Sequence, residues 1–142
     1  MNKKLQNREL KLNNIDVYER DLRTSKALTI NIDNKYYIGI KKGYNEAFNF
    51  WLIEHELEHI KNKTFYKPDA DSYTINKMER ITNDAVVLKN GITSSILVLQ
   101  KKGLSKEEIC EKLEIPFELY DHAIEVINRK LLTLVSKNIK NL

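Results

Sequence analysis

Residues 44–62 read YNEAFNFWLIEHELEHIKN, and the spacing of His55, Glu56 and His59 within this run decides how the rest is read. On an α-helix, side chains four positions apart differ by about 40° in direction and roughly 6 Å in rise, so His55 and His59 project from one face as neighbours able to share a metal ion. Glu56 lies about 100° round the helix from His55. That places it to hold a water at the metal, as His-Glu-x-x-His requires, and not as the natural third ligand. Phe48, Leu52, His55 and His59 share one stripe. Phe50, Ile53, Leu57 and Ile60 form another apolar side, leaving Glu54, Glu58 and Lys61 as the expected solvated strip. With three His and thirteen Glu in the chain, composition alone yields this motif on the order of once in a few hundred shuffles. Two histidines merely packed in a core are the bland alternative. The helical setting, capped by Asn45 after the break at Lys41-Lys42-Gly43, favours the metal.

The other bounds are modest. A chain of 142 residues is expected to fold as one domain, 1–142, and to bury about two-thirds of its unfolded surface. Cys110 stands alone, which excludes an intramolecular disulfide and suits a reducing compartment. No apolar run approaches the ~20 residues of a membrane span, and MNKKLQNREL lacks a signal-peptide core, so a cytoplasmic protein is expected. The net charge of +4 is spread among twenty acids, with no basic block to mark a nucleic-acid surface.

Around the central helix the pattern reads as α+β. Residues 3–12 form a short helix ending at Asn13-Asn14. Ile15 to Tyr18, Leu28 to Ile32 and Tyr36 to Ile40 alternate as strands, with a hairpin at Asp33-Asn34, and they predict a small antiparallel sheet packed on the metal helix. An edge strand beside such a helix can take an extended peptide by backbone pairing. Beyond the loop 63–73 a helix is expected over 76–90, with Met78, Ile81, Ala85 and Leu88 inward and Gly91 as its stop.

That helix supplies the third-ligand candidate. A catalytic zinc site commonly takes two His and one carboxylate and keeps a fourth position for water. Glu79, twenty residues after His59, fits, but Asn76-x-x-Glu79 also fits a capping box that would turn Glu79 back to the helix start. Spacing leaves the two open, with Asp71, Asp84 and His122 as weaker candidates.

Residues 92–102, 105–113 and 116–136 complete a mostly helical second half. Ser105-x-x-Glu108 is a capping box, and Pro116 suits a first helical turn. Phe117, Tyr120, Ile124, Ile127 and Leu131 share a stripe that leaves His122 on the surface. The segment 104–142 has helix-turn-helix cadence and is a candidate recognition subdomain. Glu118, Asp121 and Glu125 at the start of its second helix favour a protein partner over DNA.

Taken together, NNIDVYERDL, ALTINIDNKYYIGI, WLIEHELEHI, MERITNDAVVLKNGI and LSKEEICEKLEIPFELYDHAIEVI resemble, in that order, the ImmA/IrrE family of metallopeptidases over most of the chain. The resemblance matches His55 and His59 to the metal histidines, Glu56 to the catalytic glutamate and Glu79 to the downstream metal glutamate. Glu54 and Glu58 stand where the family has small residues, Lys63 where many members have a further His, and Thr82 where Ala is usual.

The resemblance implies a minimal zincin-like domain: a cytoplasmic zinc endopeptidase, with manganese or cobalt as possible substitutes, acting on a helix-turn-helix repressor of a mobile element, prophage or stress response. The competing expectation is an inactive metal-binding regulatory module that works by protein contact. Tyr36, Tyr37, Tyr66 and Tyr73 are the candidate donors to an oxyanion.

Overall fold

The computed structural model describes residues 1–140, with side chains described as far as Lys137. Two compact units divide the chain, Met1–Thr82 and Asn83–Leu142, and the division falls within one helix. The architecture is α+β and mostly helical. Among the described residues no helix is long and apolar enough to cross a membrane.

The first unit begins with α1 (Lys3–Leu12), followed by β1 (Asp16–Arg20), β2 (Ala27–Ile32), β3 (Lys35–Lys41) and α2 (Glu46–Asn62). It takes in the first part of α3 (Ser72–Lys89). Asp33 and Asn34 both adopt positive φ, 52° and 65°, as a two-residue turn matched to strand twist requires, and they join β2 to β3 as an antiparallel hairpin. The sheet order is β1-β3-β2.

One expectation is corrected here, because β1 pairs with β3 in parallel, Val17 opposite Ile38, and the sheet is therefore mixed and not antiparallel. Apolar alternation predicts a strand and the face it buries but carries no strand direction. The hairpin fixes β2 beside β3, and pairing β1 on the other edge puts β3 at the centre, where Ile38 and Ile40 are buried. Against that face packs Leu57 of α2, with Ile15 completing the cluster and Leu52, Ile53 and Ile60 around it.

Of the strip expected to be solvated on α2, Lys61 is exposed but the two glutamates are not. Glu54 and Glu58 are each 2% exposed. Over Glu54 lies α1, whose buried Gln6 donates from Nε2 to the Phe50 carbonyl at 2.9 Å and to Glu54 Oε1 at 3.1 Å. Glu58 Oε2 accepts from Asn62 Nδ2 at 2.9 Å. A carboxylate is tolerated inside when such donors replace water. Outside them, Lys3 pairs with Glu46 near the start of α2.

The second unit holds the rest of α3 and then α4 (Ile92–Lys101), α5 (Lys106–Leu113) and α6 (Phe117–Lys140). Gly91 takes the left-handed conformation, φ 61°, that ends α3, and the capping box at Ser105 and Glu108 forms as expected. Its core includes Ile96, Leu99, Ile109, Cys110, Leu119, Ala123 and Val126.

The buried stripes differ in detail from those expected. Leu88, Phe117 and Leu131 are exposed, while Val86 and Val87 of α3 and Leu119, Ala123 and Val126 of α6 are buried. Both helices carry apolar residues around more than one side, so the neighbours select the stripe. His122 is not a surface residue either: its side chain is 13% exposed, and Nε2 lies 2.5 Å from Asp84 Oδ1.

Candidate metal centre

The first unit builds the centre from two helices and the loop between them. Asn45 caps α2, its Oδ1 accepting from the Phe48 N–H at 2.8 Å, and the unbroken helix brings His55 and His59 to one face with ring centroids 4.6 Å apart. At the other end Lys63 takes the left-handed conformation, φ 52°, and the N–H groups of Lys63 and Thr64 both turn back to the His59 carbonyl. The chain thereby folds under His59 and sets Thr64, Phe65 and Tyr66 around it.

Helix α3 begins at Ser72, earlier than expected, because Asp71 caps it by accepting from the Thr74 N–H at 2.7 Å. Asn76 is thus inside the helix, and the alternative capping role for Glu79 disappears. Glu79 faces the histidines instead. Its Oε2 lies 2.9 Å from His55 Nε2, and its Oε1 lies 3.2 Å from His59 Nε2. Tyr66 donates its hydroxyl to Oε1 at 2.8 Å.

Partial burial would raise the Glu79 pKa, but hydrogen bonds from His55 and His59, the charge of His55 and the Tyr66 hydroxyl outweigh it and hold the carboxyl well below its usual range. Glu79 stays an anion. The Tyr66 phenol moves the other way, pushed up to about 12 by burial first, then by its bond to Glu79 and by the negative charges of Glu79 and Glu56. It therefore stays a neutral donor. Phe65 stacks on the His59 ring at 5.7 Å and on Tyr36 at 6.1 Å, which makes one wall of the site aromatic.

Glu56 is buried, and its Oε2 accepts from Thr29 Oγ1 of β2 at 2.7 Å. The edge strand therefore orients the glutamate between the two histidines in sequence. Behind the site, His59 Nδ1 lies 2.9 Å from Thr64 Oγ1 and 3.2 Å from Thr82 Oγ1. Thr29, Thr64 and Thr82 were not recognised as site residues in the sequence. Thr82 does share a helix side with Glu79, but a hydroxyl at that spacing is no signal until the partner helix is known.

Among the described residues, His55, His59 and Glu79 form the one group of three or more metal-capable side chains, with a ligand atom of each lying within 4.8 Å of the others. The donor set fits a divalent cation. Tetrahedral zinc with bonds of about 2.05 Å sets neighbouring ligand atoms about 3.3 Å apart, and the carboxylate-to-imidazole distances of 2.9 and 3.2 Å lie near that edge length. The other candidates serve elsewhere: Asp71 is a cap, and Asp84 pairs with His122 and Arg129 in the second unit. Of the four tyrosines, Tyr66 is the one hydrogen-bonded to a member of this group; Tyr37 stacks on Tyr18, and Tyr73 is exposed. Comparisons with models of known families, with curated proteins and with solved structures found no match to this chain.

Proposed function

We propose that the protein is a zinc-dependent endopeptidase, on the convergence of His55 Nε2, His59 Nε2 and the Glu79 carboxylate beside a buried, oriented Glu56. His55, His59 and Glu79 would hold the ion. When bound, zinc supplies Lewis acidity, lowering the pKa of water toward about 7 and polarising a carbonyl. Manganese or cobalt suits the same nitrogen and oxygen donors.

The chain's own groups supply the remaining chemistry. Glu56 takes the proton of the attacking water and returns it to the leaving amine, a role that contributes typically about 10²- to 10⁴-fold in rate. Thr29 keeps one Glu56 oxygen occupied, and among the described residues the other accepts no hydrogen bond, which leaves it for the water. Tyr66, neutral and close to Glu79, is the donor we assign to the developing oxyanion. Strand β2 is an edge strand, and its Thr29 touches Glu56, so a substrate segment paired on that edge would run past the base.

A protein substrate, specifically a helix-turn-helix repressor, is the class implied by the resemblance to ImmA/IrrE metallopeptidases. The exposed Glu118 and Glu125, and Asp121 paired with Lys106 at 2.7 Å, support a protein partner over DNA at the start of α6. The test is cleavage of purified helix-turn-helix repressors with zinc supplied, in wild type and Glu56→Gln. Site-specific cleavage by wild type alone supports the assignment. Equal cleavage by Glu56→Gln would refute it.

A further inference from the structure

Three contacts behind His59 form a chain of single protons. Thr64 Oγ1 stands 2.9 Å from His59 Nδ1, Thr82 Oγ1 stands 2.6 Å from Thr64 Oγ1, and the Met78 carbonyl stands 2.8 Å from Thr82 Oγ1. All three side chains are buried, His59 at 6% exposure, Thr64 at 3% and Thr82 at 0%. Bulk solvent barely reaches them to compete for the bonds.

The direction of the chain follows from its last member, because a carbonyl only accepts. If Thr82 donates to Met78, its oxygen must accept from Thr64, whose own oxygen must then accept from a proton on His59 Nδ1. Every close contact then holds one proton, and the 3.2 Å contact from Nδ1 to Thr82 is a second, weaker branch of the same donor. The reverse order, Thr82 to Thr64 to Nδ1, leaves two oxygen lone pairs facing each other at 2.8 Å across Thr82 and Met78. Within the relay only the first order is free of that repulsion, while on the other side of the ring Nε2 faces Glu79 Oε1 at 3.2 Å, the contact that a bound cation would replace.

We propose that Thr64 and Thr82 are positioning residues, a buried hydroxyl relay that fixes the proton of His59 on Nδ1 and so presents Nε2, with its lone pair, to the metal. The proposal rests on the metal-site reading above. Hydrogen-bonded partners of this kind set the tautomer and ring angle of a ligating histidine, and losing one typically lowers metal affinity about 10- to 100-fold. The left-handed turn at Lys63 and the backbone bond from Thr64 to the His59 carbonyl hold the first hydroxyl in place, and the α3 backbone holds the second.

The experiment has two arms on the full chain. Long-range proton–nitrogen NMR of metal-free, histidine-labelled wild type reads the His59 ring directly, and a proton on Nδ1 is expected. Zinc titration against a chelating competitor then compares Thr82→Val, which keeps shape and removes the hydroxyl, with Thr82→Ser, which keeps the hydroxyl, and Thr64→Val with Thr64→Ser. The Val variants should bind zinc about 10- to 100-fold more weakly, and the Ser variants should recover most of the loss. Val variants that melt lower yet bind zinc like wild type would show a merely structural role and overturn the proposal. An Nδ1 without a proton overturns it too, whether or not any variant folds. Wild type that carries the proton on Nδ1 but takes up no zinc would uphold the relay and overturn the metal reading alone.

Discussion

Two clusters in this chain place a histidine against a carboxylate, and they differ in what else the carboxylate holds. In the first unit, Glu79 meets two imidazole nitrogens and a tyrosine hydroxyl. In the second, Asp84 meets His122 Nε2 at 2.5 Å and is clasped by Arg129 through two bonds, 2.9 Å from Nη1 and 2.8 Å from Nη2. A guanidinium that binds both oxygens of a carboxylate already supplies the cation. Glu79 has no such permanent partner among its described contacts, and its neighbours are nitrogens that bind either a proton or a metal. The first cluster could therefore hold a metal ion in place of a proton, whereas the second already holds its cation.

The contrast can be broken most severely at the ligands. His59→Ala should abolish stoichiometric zinc binding, whereas His122→Ala should leave it intact, as equilibrium dialysis under buffered zinc would show. Next in size is Glu56→Gln. Turnover of a cleavable substrate should fall about 10²- to 10⁴-fold with zinc content unchanged. Loss of zinc with the activity would make Glu56 a ligand and not a base.

At Asp84 the expected effect is on stability and not on metal. Asp84→Asn leaves Arg129 and His122 without their anion, and chemical denaturation should show a loss of about 1 to 3 kcal/mol, toward the lower figure because Arg129 is well exposed. Burial would raise the Asp84 pKa, but bonds from Arg129 and His122 and their charges win and lower it. A carboxyl depressed in the folded state stabilises above its unfolded pKa, near about 3.9, and loses that contribution as pH falls through the folded value. Wild type should thus lose stability over that acid window, and Asp84→Asn should lose less. A parallel pH profile in the two proteins would contradict the assignment.

The smallest effect belongs to the turn that carries Thr64. Lys63 holds φ 52°, a left-handed conformation in which a side chain costs about 1 kcal/mol relative to glycine. Lys63→Gly should raise stability by up to about that amount, measured by denaturant midpoint, without changing zinc affinity.

What the sequence made legible was local. His55, Glu56 and His59 lie within one helical run, the caps at Asn45 and Ser105 lie beside the helices they start, and the turn at Asp33-Asn34 lies between two alternating segments. Glu79 stayed ambiguous because its role depends on where α3 begins, and the true cap, Asp71, lies upstream of the candidate capping box. Three features were out of reach. Alternation is silent on strand direction, which hid the parallel pairing of β1 with β3. Glu54 reads as solvated until Gln6, 48 residues away, covers it. His122 reads as a surface residue until Asp84, 38 residues away, binds it. Each miss is a tertiary partner overruling a local pattern.

The most direct test of the central claim is zinc bound per chain under buffered zinc, in wild type, Glu79→Ala and His59→Ala. The account predicts one tightly held equivalent in wild type, weaker binding in Glu79→Ala and none in His59→Ala. Wild type without tight zinc, or His59→Ala that still holds a full equivalent, would contradict it.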